Sequence, residues 1–186
     1  MRLFKRLFYT GKGDKGVSEI EGKKIYKASL EIEAVGFLDE VNSLLGLVKT
    51  QSLPKGYRDI LEQVQENLFI IQAHVGVLMM GKFTAPPFSL KKVKEIEKLI
   101  DGFEKKVKPE KGFIIAGSNE ASSWLDFVRS VVRRAEVVMV KLNRKHKKKL
   151  EPAILAYLNR LSSLLYAMAR HAAKTKHSLE RHPTYK

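Results

Sequence analysis

A chain of 186 residues, 44 % of them hydrophobic and 30 % charged, can bury one substantial core but not two, and is too apolar to be disordered. The lack of cysteine excludes disulfide frameworks and thiolate metal sites, and no apolar run has membrane-spanning length. A net charge of +15 favours polyanionic partners, namely nucleic acid, an anionic membrane surface or nucleotide phosphates, without choosing among them.

The start, Met1-Arg2-Leu3-Phe4-Lys5-Arg6-Leu7-Phe8, is too broken by charge for a signal peptide, so a soluble cytoplasmic protein is expected. Gly11, Gly13, Gly16 and Gly22 make the first 25 or so residues a loop with at most a short extended start. From about Ala28 the chain reads as helix, broken near Ser52-Leu53-Pro54, at Ala85-Pro86-Pro87, between Val107 and Gly117, and at Glu151-Pro152.

Apolar residues recur at alternating steps of three and four within each segment. The first carries Ala34, Leu38, Val41, Leu45 and Val48; the second Leu61, Val64, Leu68, Ile71, Val75 and Leu78. A shorter one has Val93, Ile96, Leu99, Ile100 and Phe103. Leu125, Val128, Val132, Ala135, Met139 and Leu142 follow, and then Leu158, Leu161, Leu165, Met168 and Ala172. Such spacing keeps a seam on one helix face, and five seams predict an all-α five-helix bundle. The expected organisation is one domain over 1–186: an amino-terminal loop (1–27), the bundle (28–175) and a basic tail (176–186).

Polar residues one position after a seam residue lie about 100° around the helix, at the edge of the core. Asp39, Arg129, Arg133, Glu136 and Asn159 are placed so. Two readings fit the spacing of Arg129, Arg133 and Glu136. One is a solvated flank with intrahelical pairs such as Arg133 with Glu136. The other is a clamp in which two arginines grip phosphate oxygens and Glu136 holds an arginine or, through water, Mg²⁺.

The loop Tyr9-Thr10-Gly11-Lys12-Gly13-Asp14-Lys15-Gly16-Val17-Ser18 can turn sharply and offer amides, ammonium groups and hydroxyls to an anion, or be an ordinary turn. It does not have the order of a Walker A motif. The Lys141 to Lys149 run is either a solvated helix end or a polyanion site. His74, His146, His171, His177 and His182 show no helical metal-site spacing, and Trp124 is expected to pack at a helix start.

Taken in order, these segments resemble the PduO-type ATP:cob(I)alamin adenosyltransferases. Thr10 to Gly16 is similar to that family's Thr-Gly-Asp-Lys-Gly loop. Lys27, Glu33-Ala34-Val35-Gly36, Leu38-Asp39-Glu40 and Asn42-Ser43 with Gly46 are similar to the block opening its first long helix. Phe113-Ile114-Ile115 with Gly117 resembles its Phe-x-x-Pro-Gly-Gly turn. Arg129-x-x-x-Arg133-Arg134-Ala135-Glu136 and Tyr157-Leu158-Asn159-Arg160-Leu161-Ser162 resemble its carboxyl-terminal signatures. The departures are Ala116 for proline, Ser118 for glycine, Ser163 for aspartate and a single hydroxyl at Val17-Ser18.

The resemblance implies a ferritin-like five-helix bundle that trimerises, with active sites between subunits. It implies transfer of the 5′-deoxyadenosyl group of ATP to cob(I)alamin with release of triphosphate, aided by Mg²⁺. Thr10, Gly11, Gly13, Asp14, Lys15, Gly16 and Lys27 would then face the nucleotide, completed by Arg129, Arg133, Glu136 and Asn159 of a neighbour. Asp39 would pair with Arg129 across the interface, and Phe113 would close the lower face of the corrin. A reductase and a cobalamin-dependent enzyme are the protein partners such an activity implies. The competing readings are a basic helical module for nucleic acid or acidic protein, and a paralogue that carries cobalamin without turnover. Against the first, no aromatic residue interleaves with the basic run.

Overall fold

Local capping chemistry sets where each helix starts and stops in the computed structural model, which describes residues 9, 11, 13–20, 22–81, 83–108, 112–176 and 178–185. Ser29, in extended conformation, accepts from the Ile32 amide and opens α1 (Leu30–Lys49). Pro54 interrupts the chain before α2 (Tyr57–Met80), and Gly81 at φ 68° closes that helix with a bond to the Val77 carbonyl. After Pro86-Pro87, α3 (Leu90–Val107) runs to Lys108. A reciprocal capping box starts α4 (Glu120–Lys145): the Asn119 side chain accepts from the Ser122 amide at 2.9 Å, and the Ser122 hydroxyl accepts from the Asn119 amide at 3.1 Å. Pro152 supplies the first residue of α5 (Pro152–Thr175). All four expected breaks are present.

Helix α4 lies between α1 and α5, with α2 against α1 and α3 against α5. The seams of α1, α4 and α5 are buried in full; on α2 only Leu78 is partly exposed, and on α3 Leu99 faces solvent because that outer helix buries a narrower stripe. Polar links fix the register across the core. The Tyr57 hydroxyl donates to the Met168 carbonyl and meets His171 Nδ1, each at 2.9 Å. Asn67 donates to the Tyr157 hydroxyl at 3.0 Å and accepts from Lys92 at 2.6 Å. Burial pushes the Tyr157 hydroxyl up to about 12, so it stays protonated at neutral pH. No helix is long and apolar enough to cross a membrane, among the described residues.

Two features differ from the sequence reading. Part of the expected loop is a hairpin of β1 (Val17–Ile20) and β2 (Lys23–Tyr26), paired Val17 with Tyr26 and Ile20 with Lys23. Four-residue strands are too short to show alternation amid glycines and lysines. Gly22, at φ 77°, permits the two-residue turn, while buried Ile25 and the Lys23 ammonium on the Met79 carbonyl anchor the hairpin to the bundle. The second is the carboxyl-terminal segment, which returns to the bundle: Ile115 and Arg181 form an antiparallel bridge, and Asn119 donates to the Ser178 hydroxyl at 3.0 Å.

Glu31 at the start of α1 receives Lys145 at 3.0 Å and His146 at 2.6 Å, joining it to the end of α4. Burial pushes this carboxyl up, but its backbone hydrogen bond, Lys145 and His146 outweigh that and hold it at about 2. A depressed carboxylate stabilises fully above its ordinary value of 4.5 and loses that contribution as pH falls through about 2. Glu31→Gln is therefore expected to melt several degrees below the parent at pH 7, for a loss of about 1 to 3 kcal/mol. The gap should narrow as pH falls from about 4.5 towards about 2, read by thermal melts across that range.

Candidate active site

The pitch of α4 puts Asp126, Arg129, Arg133 and Glu136 on one face. Asp126 is buried and pairs with Arg170 of α5, itself only 3 % exposed, while Arg129 Nε stands 3.5 Å from the other carboxylate oxygen of Asp126. Burial pushes the Asp126 carboxyl up against the pull of both guanidinium groups. Tyr166 offers its ring to both arginines, 5.7 Å from the centre of the Arg129 guanidinium and 5.0 Å from that of Arg170. Arg129 is thus braced on two sides. Arg133 is exposed and has no hydrogen-bond or ion-pair partner among the described residues.

Both arginines line a cavity of about 540 Å³. Its other walls are Ser162, Ser163, Tyr166, Ala167 and Arg170 of α5, Ile100, Glu104 and Val107 of α3, and Gly112, Phe113 and Ile114 of the loop before α4. Phe113 is 76 % exposed, so little packing within the chain rewards its position. The cavity therefore joins a cationic wall to an apolar one.

Further along the α4 face, Glu136 accepts from the Asn159 amide at 2.9 Å, and Asn159 in turn accepts from Arg160 at 2.6 Å. Arg160 continues to Glu97 of α3 at 3.0 Å. The expected alternative pairing of Arg133 with Glu136 does not form. Glu136 Oε1 is engaged, while Oε2 has no hydrogen-bond partner among the described residues. A single partly available carboxylate fits Mg²⁺ held through water beside phosphates, since that ion is commonly bound by one or two carboxylates plus substrate oxygens. No group of three His, Asp or Glu capable of caging an ion occurs among the described residues.

The remaining expected residues form a second cluster. The Gly16 amide bonds the Gly13 carbonyl at 3.2 Å, and the Lys27 amide bonds the Gly16 carbonyl at 2.9 Å. The Lys27 ammonium lies over Gly13, where a Cβ would come within 2.9 Å of it. Gly11, Asp14 and Lys15 are exposed beside them, while Thr10 lies outside the described residues, as does Lys12. Asp39 is exposed on α1. Neither the described residues of this loop nor Asp39 line the cavity, and the carboxylate beside Arg129 within the chain is Asp126.

The basic run is partly structural. Lys149 donates to the Asn143 and His146 carbonyls at 2.7 and 2.8 Å, capping the end of α4, and Lys145 is held by Glu31. The sequence reading missed Asp126, Tyr166, Arg170 and Glu180. Asp126 follows the seam residue Leu125, so the rule that singled out Arg129 would also have found it.

Residues 8–172 match the family model described as cobalamin adenosyltransferase. The chain belongs to the cobalamin adenosyltransferase family. It is 33 % identical over 166 residues to the corrinoid adenosyltransferase PduO of Salmonella typhimurium, covering 87 % of this chain and 48 % of that protein. To the corrinoid adenosyltransferase of Bacillus subtilis it is 31 % identical, covering 87 % of this chain and 84 % of that one. Mouse corrinoid adenosyltransferase MMAB is 33 % identical, with 93 % and 75 % covered. The chain thus spans about half the length of the Salmonella relative and the larger part of the other two.

Among solved structures, a phenylalanine-to-histidine variant of the Lactobacillus reuteri PduO-type ATP:corrinoid adenosyltransferase, complexed with cobalamin and ATP, superposes with a TM-score of 0.87. It shares 27 % identity over 96 % of this chain and 97 % of that one. An arginine-to-lysine variant of the same enzyme, complexed with ATP, gives a TM-score of 0.84 at 29 % identity over 95 % and 99 %. The small amino-terminal hairpin and five helices of the present chain therefore have close counterparts in these adenosyltransferases.

Proposed function

We propose that this protein transfers the 5′-deoxyadenosyl group of ATP to the cobalt of a reduced corrinoid and releases triphosphate. The observation that carries the reading is the cavity in which Arg129 and Arg133 face the same space as Phe113. Cobalt(I) of the substrate attacks the 5′ carbon as the bond to triphosphate breaks. Negative charge gathers on the leaving oxygens, and Arg133, exposed and without a carboxylate partner among the described residues, is suited to meet it. Arg129, steadied by Asp126 and Tyr166, adds a second positive centre one turn away. Glu136 would hold Mg²⁺ through water beside the phosphates, where the ion supplies further charge neutralisation. Phe113 offers an apolar face that excludes water from the lower side of the corrin.

The same reading makes the active unit a homotrimer, in which the Gly11 to Gly16 loop, Lys27 and Asp39 of one protomer complete the cavity of the next. What supports it is that Gly13, Gly16 and Lys27 cluster together while neither they nor exposed Asp39 line the cavity of their own chain. A solution mass close to three times 21.2 kDa is expected, and a monomer by light scattering at micromolar concentration would exclude a shared site. A reductase supplying the electron and a cobalamin-dependent enzyme taking the product are the partners this chemistry requires.

The decisive experiment is an anaerobic assay with cobalamin, a reductant, ATP and Mg²⁺, followed by absorbance. Light-sensitive adenosylcobalamin should form with triphosphate as coproduct. If verified cob(I)alamin persists beside folded protein and Mg-ATP, catalysis is rejected and a carrier function is favoured.

A further inference from the structure

We propose that the carboxyl-terminal segment 178–185 is a strap that positions Phe113, and that Asp126, Arg170 and Glu180 are its anchor; the functional half of this rests on the adenosyltransferase reading. The loop 112–118 has little rigidity of its own. It contains no proline, Gly112 and Gly117 sit at φ 127° and 110°, and the Phe113 ring projects mostly into solvent. A side chain without packing is placed by its backbone.

That backbone is held by the strap. The Ile115 amide donates to the Arg181 carbonyl at 2.8 Å, and His182 Nδ1 lies 2.8 Å from the Phe113 carbonyl, so Nδ1 carries the proton and donates. A Cβ on Gly112 would approach the His182 ring to 3.4 Å, which places the ring directly against the start of the loop. The two bonds fall on alternate residues, on either side of Ile114.

The strap is fixed at its other end. Arg170 Nη1 donates to Glu180 at 2.6 Å while Nη2 holds Asp126, so one buried guanidinium bridges the bundle and the strap. Ser178 adds a bond from Asn119, beside the capping box of α4. Because Asp126 also stands beside Arg129, one connected set of charges links the cationic wall of the cavity to the segment that sets its apolar wall. Asp126, Arg170, Glu180 and His182 are thus positioning residues. Holding an exposed aromatic before the ligand arrives removes an ordering cost from binding.

The test compares the full chain with a form ending at Lys176, and with Glu180→Ala, His182→Ala and the conservative His182→Asn. Hydrogen exchange of peptides covering 112–118 reports the strap without reference to activity; loss of the Ile115 bond should speed exchange by about tenfold or more. In steady-state assays the KM for the corrinoid should rise by about tenfold to a hundredfold, with the KM for ATP unchanged. His182→Asn, which retains a donor for the Phe113 carbonyl, should recover most of the loss seen with His182→Ala. Unchanged exchange at 112–118 in the truncated form would overturn the strap. Faster exchange with an unaltered KM for the corrinoid, or with both KM values raised equally, would overturn the positioning role. Should the full chain show no turnover at all, the enzyme reading fails, while exchange still decides whether the strap exists.

Discussion

Replacing Arg133 by alanine is expected to lower kcat/KM for ATP by about two to three orders of magnitude, equivalent to losing ~3 to 4 kcal/mol of transition-state stabilisation. The expectation rests on its position, exposed at the cavity and with no carboxylate partner among the described residues. A cation already neutralised by a neighbour would matter less to a leaving triphosphate. Folding should be nearly indifferent, since an exposed, unpaired side chain typically changes stability by only about 0.5 kcal/mol. Arg129 differs, being one-third exposed and set against Asp126 and Tyr166. Arg129→Lys should lose activity through misplacement, because an ammonium cannot reproduce the flat guanidinium contact. Double-mutant cycles of Arg129 with Asp126 and with Asp39 separate bracing within a protomer from pairing across an interface. Steady-state kinetics with varied ATP supply the readout, and Arg133→Ala activity within threefold of the parent would reject its assignment to phosphate.

The largest effect on stability is expected at Asp126. Asp126→Ala leaves Arg170 buried with Glu180 as its only acidic partner among the described residues, and removes the carboxylate beside Arg129. Breaking a buried pair from one side costs about 3 to 5 kcal/mol, which for a chain of this size lowers the melting temperature by roughly 6 to 20 °C. The double replacement Asp126→Leu with Arg170→Met should recover much of that stability, because apolar groups of similar volume often match a buried pair. It should not recover activity, since both the brace on Arg129 and the anchor of Glu180 would be gone. Thermal melts beside turnover measurements distinguish the two effects; a single Asp126→Ala variant as stable as the parent would show that Arg170 is hydrated in solution.

Five helices and their breaks were legible in the chain because a helix seam is a local, repeating signal. Leu38, Val41 and Leu45, or Leu158, Leu161 and Leu165, announce a buried face at three-four spacing, and proline and capping residues mark its ends. Family membership was legible for a related reason. The Gly-rich loop, the arginine helix and the Asn159 segment are contiguous stretches whose order along the chain is itself informative.

What lies beside what was not legible. The sequence treats Arg129, Arg133 and Phe113 as two separate features, and only the packing of α4, α5 and the loop before α4 sets them around one cavity. Asp126 occupied the right helical position to be noticed, yet its importance depends on Arg170, which comes 44 residues later and appears in the chain as a lone charge among alanines and methionine. The tail reads as basic and terminal, but Glu180, the Arg181 carbonyl and His182 find partners on α5 and on the Phe113 loop. Helical periodicity is fixed by neighbours three and four residues away, whereas ion pairs and bridges between distant segments are decided by which faces the core brings together. The sequence by itself therefore determined the helices, their buried faces and the family, while the tertiary structure alone decided which charges meet and what holds Phe113.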